Sequence, residues 1–293
     1  MTIRFRVIAS GSNGNSAYIS TPEGTLLIDA GISRKRIINA LQEDKIPLND
    51  VIGILVTHAH TDHCQGLPVL CDHLKGVPLL FTSGTKDVLH SYNSRDPRYA
   101  KISDNSYLLS FDEPFMTGNF SVTSLRTTHD VQGSAAFQIS YKDTKVTFLT
   151  DTGKIETKHL KALKESSIVL VEMNHDITAL NTSRRPIWLK KRVRSAHLAN
   201  SETIEILDSL IDSEIRGFFI GHVSGECNSP KLVAESLGEW QLARSIPWNW
   251  YFCHRDRSGE VVEYSNNQLA TDMKEFLPKM PEKGRKFVKI EKF

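Results

Sequence analysis

Val51-Ile-Gly-Ile-Leu-Val56-Thr-His58-Ala-His60-Thr-Asp62-His63 is the stretch on which the reading of this chain turns. Its first residues, Val51–Val56, form a nearly continuous apolar run, which predicts a strand buried on both faces. Four groups able to bind a metal follow at once: His58, His60, Asp62 and His63. Imidazole and carboxylate suit Zn, and also Mn or Fe. His58 and His60 are two apart, so on an extended segment both point the same way. Asp62 and His63 come after the chain turns and can reach a second ion. A two-metal catalytic centre needs ions roughly 3.5–4 Å apart with an activated water between them. One short loop cannot supply every ligand, so the others must come from other strand ends.

Outward from the cluster, the chain supplies such ends. Towards the N-terminus, Ile3–Ala9 alternates like a half-buried strand, and Ser10–Ser16 is a tight small-residue turn. Ser16–Ser20 and Thr25–Ile28 read as a hairpin bent at Pro22-Glu-Gly24, and Ser33 is placed to cap a helix reaching Glu43. Towards the C-terminus, helices are expected near 65–75 and 84–91. Tyr92–Ser110 is polar and reads as an insertion or lid. Strands are expected near 119–127, 134–141 and 145–150, then a helix over 156–165 and a strand Ile168–Glu172. Helix 200–212, strand Gly217–Ile220 and helix 230–239 complete the pattern. Strands that first meander and then alternate with helices predict an α/β fold. Candidate ligands stand just past strand ends, where open α/β sheets place their sites. They are His129 after the 119–127 strand, Asp151 in Leu149-Thr-Asp-Thr-Gly153, and His222 in Gly221-His-Val-Ser224.

With 293 residues, 40% of them hydrophobic and 24% charged, the chain can bury a sizeable core. A net charge of +2 gives no global argument for nucleic-acid binding, so any basic patch must be local. Cys64, Cys71, Cys227 and Cys253 form no C-x-x-C pair and read as reduced packing residues. The start lacks an apolar signal core, and no stretch approaches the roughly 20 apolar residues of a membrane helix. The expectation is a cytoplasmic protein without a membrane partner. Residues 1–264 read as one hydrolase domain and 265–293 as a polar, Lys-rich tail.

His-x-His-x-Asp-His followed by isolated His, Asp and His resembles the metallo-β-lactamase superfamily over roughly residues 3–240. The resemblance implies a four-layer αβ/βα sandwich and two divalent ions per chain, Zn or Mn. It implies that His58, His60 and His129 bind one ion, that Asp62, His63 and His222 bind the second, and that Asp151 bridges. Asp29, in Leu27-Ile-Asp-Ala-Gly31, matches the family's strand-end Asp, whose role is to orient a ligand His. Gly11-Ser-Asn-Gly-Asn15, Glu172-Met-Asn-His-Asp176 and His197-Leu-Ala-Asn200, with the strand-end motifs above, look like the YycJ/WalJ group, described as exonuclease-like. They resemble the tRNase Z branch more weakly. There a Glu and a later His form a proton-donating pair, here Glu172 and His197. Ala196-His197-Leu-Ala stands where that group has Gly-His-Leu-Ser; the His is intact. The superfamily also admits a homodimer.

Between Asp176 and Glu202 no acidic residue occurs, while Arg184, Arg185, Lys190, Lys191, Arg192 and Arg194 do, with Trp188 among them. Guanidinium forks suit phosphate oxygens and an indole can stack on a base. His175 is a further candidate for phosphate contact. The expected function is a phosphodiesterase acting on nucleic acid, with Asp62, Glu172 and His197 as catalytic groups. The alternative is a cyclic-nucleotide phosphodiesterase, since anti-Pycsar phosphodiesterases look similar in these motifs; a lid over 92–110 favours that reading. A thioester or lactam hydrolase fits the cationic stretch less well, and a non-catalytic binding module fits the intact ligand set least.

Overall fold

The computed structural model describes residues 2–102, 105–242, 244, 246, 248–265 and 268–270. The first half of the chain is built from Ile3–Ala9 (β1), Ser16–Thr21 (β2), Gly24–Ile28 (β3), Arg34–Glu43 (α1) and Val51–Leu55 (β4). Thr61–Cys64 (α2), Leu67–His73 (α3), Leu79–Phe81 (β5), Ser83–Ser91 (α4), Arg98–Ile102 (α5) and Ser106–Leu108 (β6) follow. The second half opens with Pro114–Thr117 (β7), Phe120–Arg126 (β8), Ala135–Tyr141 (β9) and Thr144–Leu149 (β10). Thr157–Lys164 (α6), Ile168–Glu172 (β11), Ile177–Thr182 (α7), Ile187–Ala196 (α8) and Asn200–Leu210 (α9) come next. Gly217–Gly221 (β12), Pro230–Leu242 (α10), Asn249–Phe252 (β13), Val262–Ser265 (β14) and Gln268–Ala270 (β15) complete it.

The strands form two sheets. One has the order β15-β14-β1-β2-β3-β4-β5-β6, the other β13-β12-β11-β10-β9-β8-β7. β3, β4, β5 and β6 run parallel, as do β10, β11, β12 and β13; the meander strands are antiparallel. β4 lies between two parallel neighbours, and its apolar sequence follows from burial on both faces. Phe5, Phe120, Phe137 and Phe219 fill the space between the sheets. Ile37 and Leu41 of α1, with Leu67 and Leu70 of α3, cover the outer face of the first sheet. Leu163, Leu207 and Leu237 of α6, α9 and α10 cover that of the second. The expected αβ/βα sandwich is thus the architecture. α1 starts where its cap signal predicts: the Ser33 side chain accepts from the Arg36 N–H.

Two readings change, and one stretch left without an assigned structure acquires one. The 92–110 stretch is not a lid. Tyr92 Oη donates to the Ala59 carbonyl at 2.7 Å and Tyr99 Oη to the Cys64 carbonyl at 3.2 Å, so it props the histidine loop, and β6 extends the sheet. The cationic stretch is two short helices, α7 and α8. Past residue 264 the first sheet continues, because Gln268–Ala270 pairs with β14. The Lys-rich remainder from residue 271 lies outside the described residues. Among the described residues no helix is long and apolar enough to cross a membrane, and all four cysteines are free.

Candidate metal centre and catalytic site

Strand ends from the two packed sheets come together along one side of the sandwich, and the polar groups gather along that seam. β3 ends at Ile28 and hands on Asp29; β4 leads into Thr57 and the His58–His63 loop. From the second sheet come His129 beyond β8, Asp151 beyond β10, Glu172 as the last residue of β11, and His222 beyond β12. Asp29, Asp151 and His222 have φ of 57, 58 and 49°. Left-handed backbone costs a non-glycine residue about 1–3 kcal/mol and persists only where surrounding structure enforces it. Here it turns each side chain back over the strand end into the seam.

Two clusters result. His58 Nε2 and His129 Nε2 each lie 3.1 Å from His60 Nδ1, so three ring nitrogens converge on one point. His63 Nε2 and His222 Nε2 lie 3.5 and 3.6 Å from Asp62 Oδ2. Asp151 reaches both. Its Oδ2 is 3.4 Å from His63 Nε2, and its Oδ1 is 3.5 Å from His222 Nε2 and 3.7 Å from His129 Nε2. These separations suit donors about 2 Å from a shared ion.

Outer partners fix the rings. His63 Nδ1 donates to Asp29 Oδ2 at 2.7 Å, and Asp29 Oδ1 accepts from the Thr57 N–H at 2.8 Å. His129 Nδ1 donates to the Ala196 carbonyl at 3.0 Å. Each such bond turns Nε2 towards the seam, where His63 Nε2 accepts from Asn15 Nδ2 at 3.0 Å, a contact that a bound ion would replace. Asn174 Nδ2 donates to the His222 carbonyl at 2.9 Å, and Ser10 Oγ accepts from the His222 N–H at 2.8 Å.

The protonation pattern differs between the clusters. Burial, then neighbouring histidines, pushes His58 well below its usual value and His60 down to about 4; burial also lowers His129. These rings are neutral at pH 7, as ligands must be. Burial pulls His63 down too, but Asp151, Asp29 and Asp62 carry it up to about 9. Burial likewise opposes His222, which Asp151 and Asp62 nevertheless hold well above its usual value. Asp151 Oδ2 and His222 Nε2 are buried with no hydrogen-bond partner among the described residues. Buried polar atoms rarely stay unsatisfied. A divalent cation satisfies both, and the donor set of imidazoles and carboxylates fits Zn or Mn.

Beside the clusters, Glu172 is fully buried. Its Oε1 accepts from the Thr152 N–H at 2.9 Å, and its Oε2 accepts from His197 Nδ1 at 3.1 Å. Burial raises the Glu172 carboxyl, but the adjacent His197 outweighs it and holds the group below its usual range, hence ionised. His197 Nδ1 is also 3.7 Å from Asp151 Oδ1.

A family model described as the beta-lactamase superfamily domain matches residues 25–215. The chain belongs to the beta-lactamase superfamily. It is 29% identical over 241 residues to the exodeoxyribonuclease YycJ of Bacillus anthracis, covering 82% of this chain and 89% of that protein. It is 28% identical over 268 residues to the exodeoxyribonuclease WalJ of Streptococcus pneumoniae serotype 2, covering 89% and 97%. The crystal structure of the metallo-beta-lactamase fold protein YhfI from Bacillus subtilis superposes with a TM-score of 0.64 at 14% identity, covering 90% of this chain and 99% of that one, a likeness of fold. Membership and donor set together make this beta-lactamase superfamily protein a metal-dependent hydrolase.

The cationic stretch of the superfamily protein divides. Arg192 pairs with Asp130, whose Oδ1 is 3.6 Å from His60 Nε2, so this guanidinium reaches the rim of the first cluster. Arg185 pairs instead with Glu226 at 2.7 Å, Arg194 bonds Asn181, and Lys190 Nζ donates to the Asn181 carbonyl at 2.7 Å. Arg184 and Lys191 are exposed and, among the described residues, have no acidic partner within 4.0 Å. Trp188 is 67% exposed. His175 is buried, its Nδ1 unpartnered among the described residues, and burial pushes it down to about 4. That makes it a neutral ring behind the site, ill suited to meet a phosphate directly. Sequence reasoning gave no role to Asn15, Thr57, Asp130 and Asn174. Thr57 and Asp130 flank predicted ligands directly, a usable signal. Asn15 and Asn174 sit inside recognised motifs but carry no ligand chemistry of their own.

Proposed function

We propose that this hydrolase is a phosphodiesterase acting on nucleic acid, a nuclease of exonuclease type. The observation that carries the reading is the Glu172–His197 pair at 3.1 Å, placed against Asp151. A phosphodiester releases an alkoxide, which needs a proton, whereas a thioester releases a thiolate, which leaves without one; against a lactam, whose nitrogen also needs a proton, the cationic helix α8 beside the pair favours phosphate. Two divalent ions, Zn or Mn, one held by His58, His60 and His129 and one by Asp62, His63 and His222, with Asp151 between, would supply Lewis-acid activation of water and phosphate. Glu172 accepts from His197 Nδ1 and fixes the ring, so Nε2 is the nitrogen left to protonate the leaving oxygen. Asp62 orients the attacking water at the second cluster. Arg192, and the exposed Arg184, Lys191 and Trp188, supply phosphate and base contacts. His175 then acts through Glu172 and His197 rather than by touching substrate. Similarity to the exodeoxyribonucleases supports DNA as the polymer.

The test is turnover by protein loaded with Zn or Mn on single- and double-stranded DNA, RNA and 3′,5′-cyclic nucleotides, beside Asp151→Ala. Cleavage of polymers that Asp151→Ala loses supports the proposal. Cleavage of cyclic mononucleotides alone replaces it with a signalling-nucleotide phosphodiesterase.

A further inference from the structure

Beside the second cluster lies a cavity of about 410 Å³ lined by Ser10, Ser224, Asn228, Ser229, Arg255 and Arg257 among others. Three loops enclose it. The turn after β1 contributes Ser10, the loop after β12 contributes Val223–Gly225, and the chain after β13 contributes His254–Arg257. The cavity is tied to the metal centre by hydrogen bonds. The Ser10 N–H donates to the His254 carbonyl at 2.9 Å, and Ser10 Oγ accepts from the His222 N–H at 2.8 Å.

Arg255 is the unusual member. Its side chain is half-buried, yet among the described residues no carboxylate lies within 4.0 Å of it. It is held by shape instead. A Cβ on Gly225 would stand 2.0 Å from the guanidinium nitrogens, and one on Gly11 would stand 2.8 Å from Arg255 Cγ. Two bare backbones thus clamp the side chain beside the loop that carries His222. Arg36 donates to the Arg255 carbonyl at 3.2 Å and holds the backbone from behind. A partly desolvated cation without a counter-charge is costly, and such a position is kept where an anion arrives from outside. Burial, and then Arg257, pushes His254 down to about 4, so the positive charge at neutral pH is that of the two arginines, partly offset by exposed Asp256. The thirteen-residue helix α10 begins at Pro230, which also lines the cavity, and adds the positive end of its dipole.

We propose that this cavity binds a phosphate of the nucleotide next to the scissile bond, with Arg255 as its fork. Arg192 pairs with Asp130 at the rim of the first cluster, and Arg255 packs on Gly225 in the loop that follows His222 of the second. A substrate that uses both carries more than one phosphate, as a strand does and a cyclic mononucleotide does not. The inference rests on the nucleic-acid reading above.

The experiment is fluorescence anisotropy of a phosphorothioate single-stranded DNA with Zn-loaded protein, from about 50 to 200 mM salt. Arg255→Gln is expected to weaken binding about tenfold and to lower the slope of log K against log salt by about 0.7, one phosphate contact. Gly225→Ala displaces the guanidinium without removing it, and the same loss is expected; it carries the test if Arg255→Gln does not fold. Wild-type affinity and slope in both variants overturn the subsite. Weaker binding with an unchanged slope also overturns it, because that is what mere loosening of the loops produces. Absence of DNA binding by the wild type overturns the nucleic-acid reading itself, a different failure.

Discussion

Asp151 occupies a left-handed position past β10 with Oδ2 buried and, among the described residues, without a hydrogen-bond partner, and its oxygens face His63, His129, His197 and His222. Removing it leaves the two clusters unconnected. Asp151→Ala is expected to lose at least half of the bound metal by elemental analysis and to cut turnover beyond detection; full metal content with wild-type turnover would refute the bridging role. His197→Ala makes a sharper claim about chemistry. It should lower kcat about 10²–10⁴-fold on DNA, whose leaving oxygen needs a proton, and much less on bis-p-nitrophenyl phosphate, whose leaving group does not. Equal losses on both would remove His197 as the proton donor. His175 carries a pH signature. Its folded value is depressed to about 4 against 6.5 for a free imidazole, so the unfolded chain takes up the proton first. Stability is full above pH 6.5 and is lost as pH falls through about 4, by up to about 3 kcal/mol from this residue. His175→Gln should flatten the urea midpoint against pH over that window relative to wild type; parallel curves would show that His175 is not buried neutral.

At the scale of elements, close contact between the turn past β3 and the histidine loop sets the ligand geometry. A Cβ on Gly31 would stand 1.6 Å from the Asp62 carbonyl, and the Gly31 N–H donates to the Asn15 carbonyl at 2.8 Å. Gly31→Ala must push the loop outward, at about 1–3 kcal/mol. The expected outcome is a lower melting temperature together with weaker binding at the Asp62, His63, His222 cluster; unchanged metal affinity would show that the loop is positioned by something else. How much of this could be read beforehand depended on element length. β4, β11 and β12 are apolar runs and β10 turns apolar at its end, each running into or close to a group of the candidate site, and both the strand and the chemistry were legible in them. β5, β6 and β7 have three or four residues each, too few for a period to show, and β6 and β7 alternate only weakly because they lie at sheet edges. α7 escaped because its six residues are too few for a helical period to show, and α8 because charge dominates it. The ligand types were legible from spacing. An orienting role for Asp29 was expected from the resemblance; the contacts of Asn15 and Asn174 were not legible, since they act across 48 residues from His63 and His222.

Over the whole molecule, the candidate ligands come from both sheets, so any bound ion ties one half of the sandwich to the other. Ligands that bind only the folded state stabilise it by mass action, about 4 kcal/mol at a thousandfold excess over Kd. Chelation is therefore expected to lower the melting temperature by roughly 10 °C. An unchanged calorimetric transition in excess EDTA would mean that the seam closes without metal. The sheet order has a consequence of another kind. β1, Ile3–Ala9, has β2 on one side and β14 on the other, and β14, Val262–Ser265, follows it only after all the intervening strands and helices have been made. At about 5–20 residues per second, synthesis leaves the far edge of β1 open for roughly 10–50 s. During that time the nascent chain presents a strand with one open edge and one apolar face to its surroundings, so yield from the ribosome should depend on chaperone supply and growth temperature far more than the stability of the finished protein does.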